Sequence, residues 1–157
     1  MKIQPDQVAF EAGTSGSKGQ LVWTEIVADL ETPITTSLKL KEKGRPFFLL
    51  ESVEGGSNRG RYSIIGVDPD LTWKCDTRTA YIKKGNGPFE AQEKEVLSSL
   101  RETLAASRLD IPEHLPPMAS GMIGYMSYDA IRFVETTIPD ENQDALNIPT
   151  GLFFRPR

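Results

Sequence analysis

Apolar and polar positions alternate in short runs along most of this chain, and only one stretch keeps a long helical period. Between Ala91 and Leu109 the apolar positions Val96, Leu97, Leu100 and Leu104 recur at helical spacing, with Glu93, Lys94, Glu95, Arg101 and Glu102 on the other side, which predicts an amphipathic helix. Phe47–Val53 and Arg61–Val67 are strand-like runs separated by Gly55-Gly56-Ser57-Asn58, and predict a hairpin. Leu71–Cys75 and Thr79–Lys83 add two short strands, closed by Lys84-Gly85-Asn86-Gly87-Pro88, whose Gly and Asn suit positive φ. Thr32 before Pro33 is a capping hydroxyl ahead of a residue suited to the first helical turn, so a short helix is expected over 33–43.

The remaining segments follow the same logic. Leu21–Leu30 is β-branched and partly alternating and reads as a strand, although its spacing also fits a helix. Pro112, Pro116 and Pro117 end the long helix, and the Gly-rich apolar run Met118–Met126 suits a buried strand. Ser127 stands where it could cap a short helix through Phe133; 136–147 is polar and predicts a surface loop; Leu152-Phe153-Phe154 begins one more strand. These elements predict an α+β fold, an antiparallel β-sheet domain with flanking helices. Gly and Ser crowd the stretch from Gly13 to Gly19, so residues 1–19 are expected to be a flexible amino-terminal segment and 20–157 the ordered domain.

Composition narrows the function. At 157 residues the chain has the length of a single unit with a real core. A net charge of −4, from 22 acidic and 18 basic residues without a long single-sign block, lacks the footprint of a nucleic-acid or anionic-membrane binder. No apolar run approaches a membrane span. Cys75 is the only cysteine, which rules out a disulfide within the chain and fits a reducing cytoplasm. With one histidine, His114, metal ligands are scarce, so neither a metal site nor a catalytic residue is assigned within these residues. Cys75 suits a small buried residue, Tyr125, Met126 and Tyr128 suggest an aromatic ligand box but with Gly121 and Gly124 suit a tightly packed core strand better, and Asp129 with Arg132 suits a helix-surface pair.

The run Phe48-Leu49-Leu50-Glu51-Ser52-Val53-Glu54, followed by Gly60-Arg61-Tyr62-Ser63-Ile64-Ile65-Gly66 and Pro69, resembles the amino-terminal signature of anthranilate synthase component I. Ala28-Asp29-Leu30-Glu31-Thr32-Pro33 and Gly121-Met122-Ile123-Gly124-Tyr125-Met126-Ser127-Tyr128-Asp129 agree in order and spacing, so the likeness spans about residues 20–155. The resemblance implies a component that converts chorismate to anthranilate with loss of pyruvate in tryptophan biosynthesis. It also implies magnesium (Mg2+) and ammonia delivered from glutamine by an amidotransferase partner, component II. It implies that the chain stops short of the chorismate-binding catalytic domain, that the Mg2+ site lies there, and that this fragment is inactive alone.

The same resemblance assigns Leu50, Glu51 and Ser52 to the site where L-tryptophan acts as feedback inhibitor. Taken alone, Glu51 reads as a solvent-facing carboxylate and Ser52 as a hairpin-end hydroxyl. The chemistry nevertheless suits an amino acid, since a carboxylate accepts charge-assisted hydrogen bonds from an α-ammonium group. Adjacent strand residues point to opposite faces, so Glu51 and Ser52 cannot both reach one pocket with side chains from a regular strand. Gly55–Arg61 lacks the spacing of a phosphate loop and reads as a hairpin connection. Two other functions compete: component I of aminodeoxychorismate synthase, and a non-catalytic amino acid binding module.

Overall fold

The computed structural model describes residues 2–13, 19–51, 62–139 and 146–156. Although length alone predicts one unit, the chain divides into two, Met1–Ile65 with Arg108–Gly121, and Gly66–Ser107 with Met122–Arg157.

In the first unit, α1 (Gln7–Gly13) lies inside the segment expected to be flexible. Its first turn is held by Asp6, whose Oδ1 accepts from the Ala9 amide at 2.9 Å. The second helix, α2 (Pro33–Leu40), starts where the sequence predicts. Thr32 and Thr35 exchange side-chain-to-backbone hydrogen bonds of 3.1 and 2.8 Å, a reciprocal cap that satisfies two otherwise orphaned amides. It ends before Lys43 because Lys41 is already extended, at φ −68° and ψ 117°. The expected strand over Leu21–Leu30 does not form. A single bridge joins Trp23 to Gln4 through two 2.8 Å hydrogen bonds, and Val22, Ile26, Val27 and Leu30 are exposed. A β-branched run becomes a strand only beside a partner, and here the partner is one residue long. Strands β1 (Phe47–Glu51) and β2 (Ser63–Val67) are hydrogen-bonded neighbours in a two-stranded sheet. Ser52, Val53 and Arg61, at the inner ends of the expected hairpin, lie outside the described residues.

The second unit holds a five-stranded sheet in which each neighbouring pair is antiparallel. Besides β3 (Leu71–Cys75) it contains β4 (Ala80–Lys84), β5 (Glu90–Ala91), β6 (Ile123–Met126) and β7 (Gly151–Arg155), in the order β5-β4-β3-β7-β6. The last strand in sequence is thus interior, hydrogen-bonded to β3 on one side and β6 on the other. The Met118–Met126 strand is shorter than expected and lies at the sheet edge, since Pro117–Ala119 forms a 3-10 turn and Gly121 sits at φ +136°. It is also not buried, for Gly124 and Tyr125 are exposed.

Alternation across this sheet builds the core. Leu71, Trp73 and Cys75 point to one face, and Ala80 pairs with Cys75. With Val96 of α3 (Val96–Ala106) they form the buried cluster, which Ile82, Leu100, Met126 and Phe153 flank. Trp73 is fully buried and meets Phe153 edge-on at 6.0 Å between centroids. A Cβ at Gly151 would lie 2.5 Å from Met126 Sδ and 3.1 Å from Cys75 Sγ, so this row of the sheet closes only around glycine. The helix turns Ser99 and Thr103 inward while Leu104 is exposed, a rotation away from the face the leucines predict. This orientation gives the buried Trp73 indole its acceptor, for its N–H donates to Ser99 Oγ at 3.1 Å.

Candidate functional site

The residues assigned to tryptophan recognition come at the end of β1. Leu50 and Glu51 are its last two residues and both are exposed, while Ser52 lies outside the described residues. The strand does not alternate cleanly between a buried and an open face: Phe48 and Leu49 are half-buried, and Phe47, Leu50 and Glu51 open to solvent. At its other end the Lys41 ammonium lies 4.9 Å above the Phe47 ring, a cation–π contact that ties the exit of α2 to the strand. Tyr62, just before β2, is also exposed. The chemistry on offer is a solvent-facing carboxylate, able to accept from an ammonium group.

Cys75 is buried, and that burial pushes its thiol up to about 11, the opposite of an activated nucleophile. Asp129 and Arg132 pair at 2.6 Å on the 3-10 segment Tyr128–Phe133, and Arg132 also donates to the Pro139 carbonyl. Ser127 occupies the cap position of that segment without capping it, and its buried Oγ has no partner among the described residues. Tyr125 is exposed and donates to the Pro149 carbonyl at 3.2 Å, and Tyr128 is 91% exposed and lies beyond the strand, so the three residues Tyr125, Met126 and Tyr128 form neither an aromatic box nor the tightly packed core strand expected of them. His114 meets Trp23 with centroids 4.8 Å apart, a pairing across 91 positions that periodicity could not reveal. The Gly-rich run from Gly55 to Arg61 lies outside the described residues.

Among the described residues there is no group of three or more His, Cys, Asp or Glu that could hold a metal ion. No helix among them is long and apolar enough to cross a membrane.

A two-unit α+β chain, with an antiparallel sheet backed by one helix and an acidic strand end open to solvent, is the class that the structure defines. No family model matches the chain. Curated relatives do. The anthranilate synthase component 1 of Cereibacter sphaeroides is 41% identical over 152 residues, covering 94% of this chain and 30% of its own length. That of Thermus thermophilus is 38% identical over 132 residues, or 83% of this chain and 27% of its own. A probable anthranilate synthase component 1 of Schizosaccharomyces pombe is 33% identical over 156 residues, or 98% and 29%. Over nearly its whole length, then, the chain is homologous to a part of anthranilate synthase component 1, and it spans under a third of the length of the relatives it matches.

Proposed function

We propose that this chain is the amino-terminal regulatory and structural part of an anthranilate synthase component I. The complete enzyme would convert chorismate and ammonia, drawn from glutamine, to anthranilate and pyruvate in cytoplasmic tryptophan biosynthesis. The observation that carries this reading is the 41% identity sustained over 94% of the chain while matching only 30% of the relative. Such a match has the form of one module within a longer polypeptide.

Within that module, Leu50, Glu51 and Ser52 contribute part of the site for inhibitory tryptophan. Glu51 is exposed on this strand, where its carboxylate can accept from the ligand's α-ammonium group, and the preceding Leu50 is an exposed apolar residue. Ser52 supplies a hydroxyl or a backbone group. The glutamine amidotransferase partner and the remainder of component I supply ammonia and the chemistry.

Magnesium does not fit the described residues, which lack a cluster of carboxylates to hold it, so no step here runs through the ion. The same reading makes this chain inactive alone, since nothing in it is assigned as acid, base or metal ligand around chorismate. The test uses anthranilate fluorescence with chorismate, magnesium and an ammonium salt present. The chain alone should give no signal above a no-protein control, and the chain joined to a catalytic region from a component I relative should give one that tryptophan suppresses. Turnover by the chain alone, or a joined enzyme indifferent to tryptophan, would refute the assignment.

A further inference from the structure

Asn86 is the only asparagine of the chain that is followed by glycine, and it sits at the tip of the turn from β4 to β5. Its side chain is exposed and makes no hydrogen bond with a described residue. Gly85, at φ +50°, donates its amide to the Asp70 carbonyl at 2.8 Å, and the Gly87 amide donates to the Lys84 carbonyl at 3.0 Å. The main chain is therefore pinned on both sides of Asn86, while no hydrogen bond to a described residue holds its exposed carboxamide away from the next peptide group. Gly87 has no side chain to obstruct that approach; a Cβ there would lie 3.1 Å from the Lys84 carbonyl oxygen. Lys83 and Lys84 immediately precede the turn, and nearby positive charge favours loss of a proton from an amide nitrogen.

We propose that the Asn86–Gly87 turn is a site of intramolecular deamidation, a covalent change the protein carries out on itself. The Gly87 amide nitrogen gives up its proton to solvent and attacks Asn86 Cγ. The new C–N bond closes a five-membered imide, the bond from Cγ to the side-chain nitrogen breaks, and ammonia leaves. Water then opens the ring at Cγ, giving aspartate, or at the Asn86 main-chain carbonyl, giving isoaspartate. The sum is asparagine plus water to an acid plus ammonia, with no redox partner.

Both products change the turn. Each adds a carboxylate beside Lys83 and Lys84. The isoaspartate form also inserts one methylene into the main chain between Gly85 and Gly87, so the hydrogen-bonded ring from Lys84 to Gly87 no longer closes, although the Asp70 to Gly85 contact before it is retained. Deamidation thereby loosens the join between β4 and β5 at the sheet's edge.

The experiment incubates the native chain at mildly alkaline and mildly acidic pH, then maps the tryptic peptide Gly85–Lys94 by mass and by isoaspartate-specific methylation. The expected result is a gain of one mass unit with methyl acceptance in that peptide, faster at the higher pH because the amide must lose a proton. Loss of hydrogen-exchange protection at the Gly87 amide should accompany it. Asn86→Gln, a surface change whose folding is checked by circular dichroism, should remove the signal, and Gly87→Ala should slow it severalfold. A native peptide that stays unmodified while the urea-unfolded chain deamidates would overturn the proposal, because the folded turn would then be protective. Equal rates at the two pH values would overturn the mechanism.

Discussion

Arg155, near the end of β7, grips Asp70, just before β3, with two parallel hydrogen bonds, Nε to Oδ1 at 2.7 Å and Nη2 to Oδ2 at 2.9 Å. The same guanidinium donates to Ser107 Oγ at 3.2 Å, and the Asp70 amide donates back to the Arg155 carbonyl at 3.1 Å. One side chain thus fastens the interior strand β7 both to the entry of β3 and to the end of α3. Both partners are about one-third exposed, so screening limits the gain, but fork geometry and charge-assisted bonds lift the pair above an ordinary surface ion pair. Arg155→Lys keeps the charge and loses the fork. A double-mutant cycle with Asp70→Asn should return a coupling of about 1 kcal/mol. A coupling of zero in urea denaturation would mean that β7 is held by its ladder alone.

The buried indole gives a second prediction. Ser99 Oγ accepts from Trp73 Nε1, so Ser99→Ala strands a buried donor and should cost about 1–3 kcal/mol, out of proportion to the one oxygen removed. Trp73→Phe removes the donor along with some volume. In the double variant the Ser99 change should then cost clearly less, since no orphan is left. Strict additivity of the two, read from denaturant midpoints at unchanged slope, would disprove the bond's role.

Cys75 supplies a pH dependence. Its folded value, about 11, lies above the ordinary 9.0 because burial disfavours the thiolate. A raised folded value means stability is intact below 9.0 and declines as pH climbs through the interval to about 11. At pH 7 only about one thiol in ten thousand is ionised on that basis, so a thiol reagent should label the native chain far more slowly than the unfolded chain. Rapid native labelling at neutral pH would contradict the burial. A Cys75→Ala variant that keeps the full alkaline loss of stability would assign that loss to other groups.

The legible parts of the fold were those governed by local chemistry. Thr32-Pro33 marks the start of α2, the Leu71–Cys75 strand appears with the range its alternation predicts, and the helix over Val96–Ala106 falls within its predicted window. What periodicity misses depends on partners. Leu21–Leu30 has strand composition but only Gln4 to pair with. Val96 and Leu100 of α3 meet the core as their spacing predicts, but Ser99, which accepts from Trp73, and Thr103 are buried with them while Leu104 is exposed, which a pattern of leucines does not reveal. The interior position of β7 follows from its long-range pairing with β3, to which five local residues give no clue. Of the candidate site, the strand that carries Leu50 and Glu51 was readable, although its expected run to Val53 passes outside the described residues; which groups face it was not, because nothing adjacent in sequence encodes them.

The last prediction concerns the proposed tryptophan site and is made for a full-length enzyme carrying this segment: Ser52→Phe should relieve inhibition by tryptophan and leave chorismate turnover largely intact. Glu51 is exposed at the strand end, and its carboxylate is the proposed acceptor for the ligand's ammonium group. A benzyl group at Ser52 takes up volume at the proposed site and removes the hydroxyl that Ser52 is proposed to offer there. One lost hydrogen bond is worth about 0.5–1.5 kcal/mol, and a tenfold change in affinity needs about 1.4 kcal/mol. The hydroxyl alone therefore reaches at most about tenfold, and steric exclusion carries the effect beyond it. Glu51→Gln, which keeps the shape and removes the charge, should weaken inhibition without the steric component, so the two variants separate charge from volume. Turnover survives in both because inhibition is a coupling between two sites, and a coupling can be lost without loss of either site's own chemistry. Tryptophan inhibition curves for the three enzymes at one chorismate concentration decide the matter. Three superimposable curves would return Leu50, Glu51 and Ser52 to the role of an ordinary strand end.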